Sequence, residues 1–171
     1  MGKTDLTLQL ENKIWEATRK QGVFCCFEVT IGWFGKERVD YLTYDTKGVW
    51  RCYEIKVSKP DFHSKAHNTF VGNYNYYVMP HELYDQVYSE IPQDIGVYIG
   101  ETCEKRAKHR ELGVDEQVLK DSLIRCLYRE AEKVIKSNNP TVVERLNKLL
   151  DLSIKESKTY KQKYWDLVKE R

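Results

Sequence analysis

The tetrapeptide Asp45-Thr46-Lys47-Gly48 separates two runs rich in β-branched and aromatic residues, residues 38–44 and 49–57. A three-residue loop with glycine at its left-handed position joins antiparallel neighbours and fixes their register. With Asp45 paired to Val49, counting back sets Tyr44 opposite Trp50, Leu42 opposite Cys52 and Asp40 opposite Glu54. Directly opposed residues have Cβ atoms about 5 Å apart, and like charges so placed repel. Residues two apart on a strand share a face, so Lys56 stands beside Glu54. One short loop therefore gathers two acids and a lysine, and a cation between the acids would remove their conflict.

The rest of the chain reads as α/β. Thr4 or Asp5 caps a helix with apolar positions Leu6, Leu10, Ile14 and Ala17, ended by Gly22. Residues 23–31 form a buried strand closed by Gly32 and Gly35. Ser58-Lys59-Pro60-Asp61 starts a short helix running toward Thr69. Gly72-Asn73 precedes a strand over residues 74–79, Pro80 starts a helix from His81 to Ser89, and residues 95–99 are a last short strand. The order is αβββαβαβ, with helices flanking a mixed central sheet. Beyond Gly100 comes a charged, mostly basic run, Glu104 to Arg110. Two long helical patterns follow, Asp115 to Ser137 and Thr141 to Lys169, divided by Asn138-Asn139-Pro140. Leu119, Leu123, Cys126, Leu127, Ala131 and Val134 line the first, and Leu146, Leu149, Leu150, Leu152 and Ile154 begin the second. The expected organisation is a core over residues 1–113 and a helical hairpin over residues 114–171. The hairpin would pack on the core or form a homodimer.

At 171 residues the chain suits one domain with an appendage. A net charge of +2 excludes a polycation, so any nucleic-acid binding must rest on local patches. Five cysteines without a CxxC pair suit reduced thiols and argue against zinc. No apolar stretch approaches membrane length and the start has no signal core, so a cytoplasmic protein without membrane partners is expected.

Carboxylate oxygens are preferred ligands of Mg²⁺, which takes only one or two from a protein and keeps waters or phosphate oxygens besides. Asp40 and Glu54 would hold it, with the Ile55 carbonyl as a further ligand. Lys56 would orient or deprotonate the attacking water and balance charge on phosphorus. Ser58, Lys59, Lys65 and Asn73 are candidate substrate contacts, and the basic run from Lys105 to Arg110 is another phosphate grip. Asn73 to Tyr77 suits either base stacking or core filling. His63 and His67 stand one helical turn apart without a third ligand.

An αβββαβ core with Asp40 on its second strand and Glu54-Ile55-Lys56 on its third resembles the PD-(D/E)XK nuclease superfamily. The run from Cys52 to Phe62, with Tyr76-Tyr77-Val78-Met79-Pro80 and Asp94-Ile95-Gly96-Val97-Tyr98, resembles its MmcB-like branch, associated with DNA repair. The likeness covers about residues 5 to 100. It implies a restriction-endonuclease-like core and a Mg²⁺-dependent deoxyribonuclease, with Mn²⁺ as substitute and DNA as partner. Val39 replaces the proline that names the motif, which has no chemical role. The acid that many relatives carry on the first helix would be Glu11 or Glu16. Glu11 borders the apolar face and is preferred, and Glu28 on the first strand is a further contributor. The alternative is a catalytically silent nucleic-acid-binding or protein-interaction domain with the same fold.

Overall fold

The Asp45 loop closes as its chemistry requires. In a computed structural model that describes residues 3–64 and 68–169, the Asp45 N–H donates to the Val49 carbonyl at 3.1 Å. The Asp45 carboxylate accepts from the Lys47 and Val49 N–H groups at 3.0 and 3.1 Å. Gly48 has φ +81°, the left-handed value a side chain would resist. The strands on either side, β2 (Arg38–Asp45) and β3 (Trp50–Ile55), are antiparallel with Tyr44 opposite Trp50 and Leu42 opposite Cys52.

Four further strands complete a mixed sheet: β1 (Val23–Thr30), β4 (Tyr74–Met79), β5 (Gly96–Ile99) and β6 (Thr102–Lys105). The spatial order equals the sequence order, β1 to β6. The β3–β4 and β4–β5 pairs are parallel and the others antiparallel. Helices α1 (Asp5–Thr18), α2 (Lys59–Phe62) and α3 (His81–Val87) accompany the sheet. Strand β6 falls where the sequence suggested only a charged run. It is a short outer strand, and charges on such an edge discourage pairing with another chain while hiding the strand pattern.

Side-chain alternation divides the core. Leu10 and Ile14 of α1 pack with Tyr41, Tyr53, Tyr76 and Val78. The intervening residues point the other way, where Trp50, Cys52 and Leu42 meet Leu119, Leu123 and Cys126 of α4 (Glu116–Ser137). Tyr77, Met79 and Val97 form a third cluster with Leu83 and Val87 of α3.

The chain divides into two compact units, Met1–Leu127 and Tyr128–Arg171. The division therefore lies inside α4 instead of at residue 113, because Leu119, Leu123 and Cys126 recur at helical spacing and fill the first unit's core. The second unit holds the rest of α4 and α5 (Pro140–Lys169). Asn139 caps α5 by accepting from the Thr141 and Val142 N–H groups, with Pro140 at the first helical position. Val134, Ile135, Leu146, Leu149, Leu150 and Leu152 are exposed there. Among the described residues no helix is long and apolar enough to cross a membrane.

Candidate active site

At the end of the sheet where β2 begins and β3 ends, the regular ladder gives way. Main-chain pairing of β2 with β3 stops at Tyr41 opposite Tyr53. One step further the Asp40 side chain takes over, its Oδ2 accepting from the Ile55 N–H at 2.9 Å. On the other side, β1 pairs Phe27 with Tyr41 and Val29 with Val39, skipping Glu28 and Asp40. Glu28 has φ +57°, a left-handed backbone outside glycine's usual use. Such a conformation costs of order 1–3 kcal/mol and persists where surrounding structure holds it. Lys3 at 3.0 Å and Arg38 at 2.7 Å grip its carboxylate.

This distortion borders a cleft of about 780 Å³ whose wall includes Glu11, Glu28, Asp40, Glu54, Ile55 and Lys56. Glu54 is 4 % exposed, Lys56 5 % and Glu11 9 %. Charged groups are rarely so buried unless paired. Glu11 is paired with Lys3, whereas Lys56 has no ion-pair partner within 4 Å among the described residues.

Burial, then the neighbouring charge of Asp40, pushes the Glu54 carboxyl up to about 8. Main-chain N–H groups of Thr69 and Asp40, together with the Lys56 charge, oppose that rise. The Thr69 N–H lies 3.2 Å from Glu54 Oε1. Asp40 is also raised above the usual carboxylate range, chiefly by burial. A buried carboxylate and a half-buried one thus neighbour each other, and each is held above its usual range.

The donor set suits a hard cation. Asp40 and Glu54 supply carboxylate oxygens, and the Ile55 N–H faces Asp40. In a strand a residue's C=O leaves on the same edge as its N–H, so the Ile55 carbonyl opens on that side too. Among the described residues no group of three His, Cys, Asp or Glu side chains is arranged to hold a metal. An ion here would draw only two carboxylates from the protein, the number Mg²⁺ accepts when water or phosphate completes its shell.

No protein-family model matches the chain, and no curated protein matches it. The SPO1766 protein of unknown function from Silicibacter pomeroyi is similar in structure. The TM-score is 0.64 at 16 % identity, over 82 % of this chain and 96 % of that one. At that identity the likeness is one of fold.

Of the residues singled out in the sequence, Asp40, Glu54, Ile55, Lys56 and Glu11 meet in the cleft, and Glu28 joins them. Glu16 lies outside it, exposed and paired with Arg19 at 2.8 Å. Ser58 caps α2, its Oγ accepting from the Asp61 N–H at 3.3 Å, and both Ser58 and Lys59 are exposed beyond the cleft wall. Asn73 is not a cleft residue. It sits at the opposite end of β3, accepting from the Trp50 N–H at 3.0 Å and donating to the Arg110 carbonyl at 3.2 Å. Its amide is spent on tying strands together.

Lys105 and Arg110, the two ends of the basic run, are held at that far end as well. Lys105 Nζ donates to the Pro92 carbonyl at 2.7 Å, and Arg110 pairs with Asp94 at 3.2 Å. Tyr76 and Tyr77 are core residues, which settles the stacking reading of residues 73–77 for these two. His63 pairs with Glu90 at 2.6 Å. Lys65 and His67 lie outside the described residues. Sequence reasoning missed Lys3, Lys36 and Arg38, which line the cleft. The signal was available in Lys36-Glu37-Arg38, which leads from the glycine loop into the strand that carries Asp40.

Proposed function

We propose that the chain is a Mg²⁺-dependent nuclease hydrolysing phosphodiester bonds in DNA, built on a restriction-endonuclease-like core of the PD-(D/E)XK type and serving DNA repair or processing. One observation carries the reading: Asp40, Glu54 and Lys56 line a single cleft, with Glu54 and Lys56 buried. A solvated surface pair would not need such a setting, and buried charge of this kind is characteristic of functional sites.

Asp40 and Glu54 would hold the ion, with the Ile55 carbonyl beside them. When bound, Mg²⁺ or Mn²⁺ supplies a Lewis-acid charge on a phosphoryl oxygen and lowers the pKa of water. The remaining work belongs to the chain. The Ile55 N–H fixes the Asp40 carboxylate, and the Thr69 N–H fixes that of Glu54, so neither must reorganise as substrate enters. The Lys56 ammonium is free to donate to the attacking water or to a non-bridging phosphoryl oxygen as negative charge grows on phosphorus. Glu11, on the cleft side of α1, accepts from the Lys3 ammonium. Lys36 offers positive charge to a flanking phosphate, and Arg38, paired with Glu28, keeps further N–H groups for one.

Purified protein incubated with duplex DNA, single-stranded DNA and RNA in Mg²⁺, Mn²⁺ or chelator tests this reading. Cleavage of DNA in either metal, none in chelator, and its loss in Asp40→Asn are expected. Cleavage that survives chelation or Asp40→Asn would overturn it. DNA binding without cleavage in any metal would point instead to the silent binding domain.

A further inference from the structure

The loop between β1 and β2 carries Trp33 and Phe34 at its tip, 75 % and 99 % exposed. Folding gains nothing from a phenylalanine in water, yet the loop around it is well held. The Ile31 N–H donates to the Glu37 carbonyl at 3.0 Å and closes its base. From α4, the Arg125 guanidinium donates to the Thr30 and Gly32 carbonyls at 2.8 Å each and lies 5.0 Å from the Trp33 ring centroid. Ser122 Oγ accepts from the Gly32 N–H at 2.9 Å. At Gly35 a Cβ would stand 1.7 Å from the Ile31 carbonyl oxygen, so this turn requires glycine. Main-chain closure and two α4 side chains therefore hold an aromatic tip in place.

The tip adjoins the cleft directly. Phe34 is followed by Gly35, Lys36, Glu37 and Arg38, all of which line it together with Asp40. An exposed flat ring beside Lys36 and the Glu28-paired Arg38, next to the proposed phosphodiester site, has the composition of a single-strand binding surface: cations track the backbone and aromatic faces take the bases. We propose that Phe34, supported by Trp33, stacks on an unpaired base next to the phosphodiester bound in the cleft, so that the protein favours DNA with an unpaired segment over intact duplex. This rests on the nuclease reading for the identity of the polymer. The stacking contact itself needs no metal.

The test is equilibrium binding of labelled oligonucleotides to the full chain in chelator, comparing a duplex bearing a short unpaired loop with the matched continuous duplex. Wild type should prefer the looped DNA. Phe34→Ala should weaken that binding by about 5- to 150-fold, the range for loss of one base-stacking aromatic, and change duplex binding by less than about twofold. Phe34→Tyr should keep the preference and Phe34→Leu should lose it, which separates stacking from general apolar contact. Because Phe34 is 99 % exposed, all three variants should melt with wild type.

Equal binding by wild type and Phe34→Ala would overturn the proposal, and so would an equal loss on both DNAs or no nucleic-acid binding at all. Phe34-dependent binding to phosphatidylglycerol vesicles, or Phe34-dependent self-association in sedimentation, in place of the DNA effect would also overturn it. Cleavage by wild type with no Phe34 effect defeats this inference and leaves the nuclease reading standing. A Phe34 effect on binding without cleavage in any metal defeats the nuclease reading and leaves the stacking site.

Discussion

Glu54 is the residue on which burial, charge and chemistry meet. Its folded pKa of about 8 lies well above the value of about 4.3 for an unfolded chain. Between those two values the folded protein keeps a proton that the unfolded chain has released, so stability falls as pH rises through the interval. In chelator, the thermal midpoint should therefore drop from pH 5 to pH 8.5, and Glu54→Gln should flatten that drop. A slope undiminished by the substitution would contradict the raised pKa of Glu54, since Asp40, also raised, accounts for only part of it. Mg²⁺ added at the upper pH should recover the midpoint, by supplying the charge the two carboxylates lack. In the proposed reaction Lys56 has a different part, as a donor aimed at developing charge. Lys56→Ala should cost about 10²- to 10³-fold in the rate of the chemical step, the usual effect of losing one such donor. A loss confined to KM under steady-state conditions would make Lys56 a binding residue instead.

Among the elements, the hairpin was the most legible because its loop chemistry, strand pattern and register all follow from adjacent residues. Counting from Asp45 and Val49 places Tyr44 and Leu42 against their observed partners; Asp40 falls one step beyond the last main-chain pair, where its side chain accepts from the Ile55 N–H. Glu11 was legible by the same logic, from its spacing on α1. Two kinds of feature escaped. Asn73, Lys105 and Arg110 looked like phosphate contacts because their bonding partners, Trp50, Pro92 and Asp94, lie elsewhere in the chain. Local pattern cannot reveal a side chain already spent on a distant carbonyl or carboxylate. The left-handed turn at Glu28 was hidden too, since nothing in Phe27-Glu28-Val29 asks for it. The start of α4 is an instructive middle case, because its apolar stripe was read correctly but assigned to the tail. Leu123→Ala, which opens a hole beside Trp50 and Cys52, should destabilise the protein by about 2–5 kcal/mol. Leu150→Ala, at an exposed site on α5, should change stability by no more than about 0.5 kcal/mol. Denaturant melts of both variants check the assignment, and equal effects would contradict it.

At the scale of the whole molecule, the described cleft residues, the loop residues Gly35 to Glu37 among them, all belong to the first unit. A net charge of only +2 is compatible with the proposed reading, in which positive charge is needed only at the cleft. The second unit contributes none of the described cleft residues. The central claim is therefore that Asp40 and Lys56 work together on one phosphodiester. Groups that act as a unit are non-additive: once one is gone, removing the other costs little more. The decisive measurement is single-turnover cleavage of end-labelled DNA at saturating Mg²⁺ by wild type, Asp40→Asn, Lys56→Ala and the double variant, all with matching thermal midpoints. The account predicts a deep loss in each single variant and a double variant about as slow as the worse of the two. Undiminished cleavage in either single variant, losses that multiply in the double, or no cleavage by wild type would contradict it.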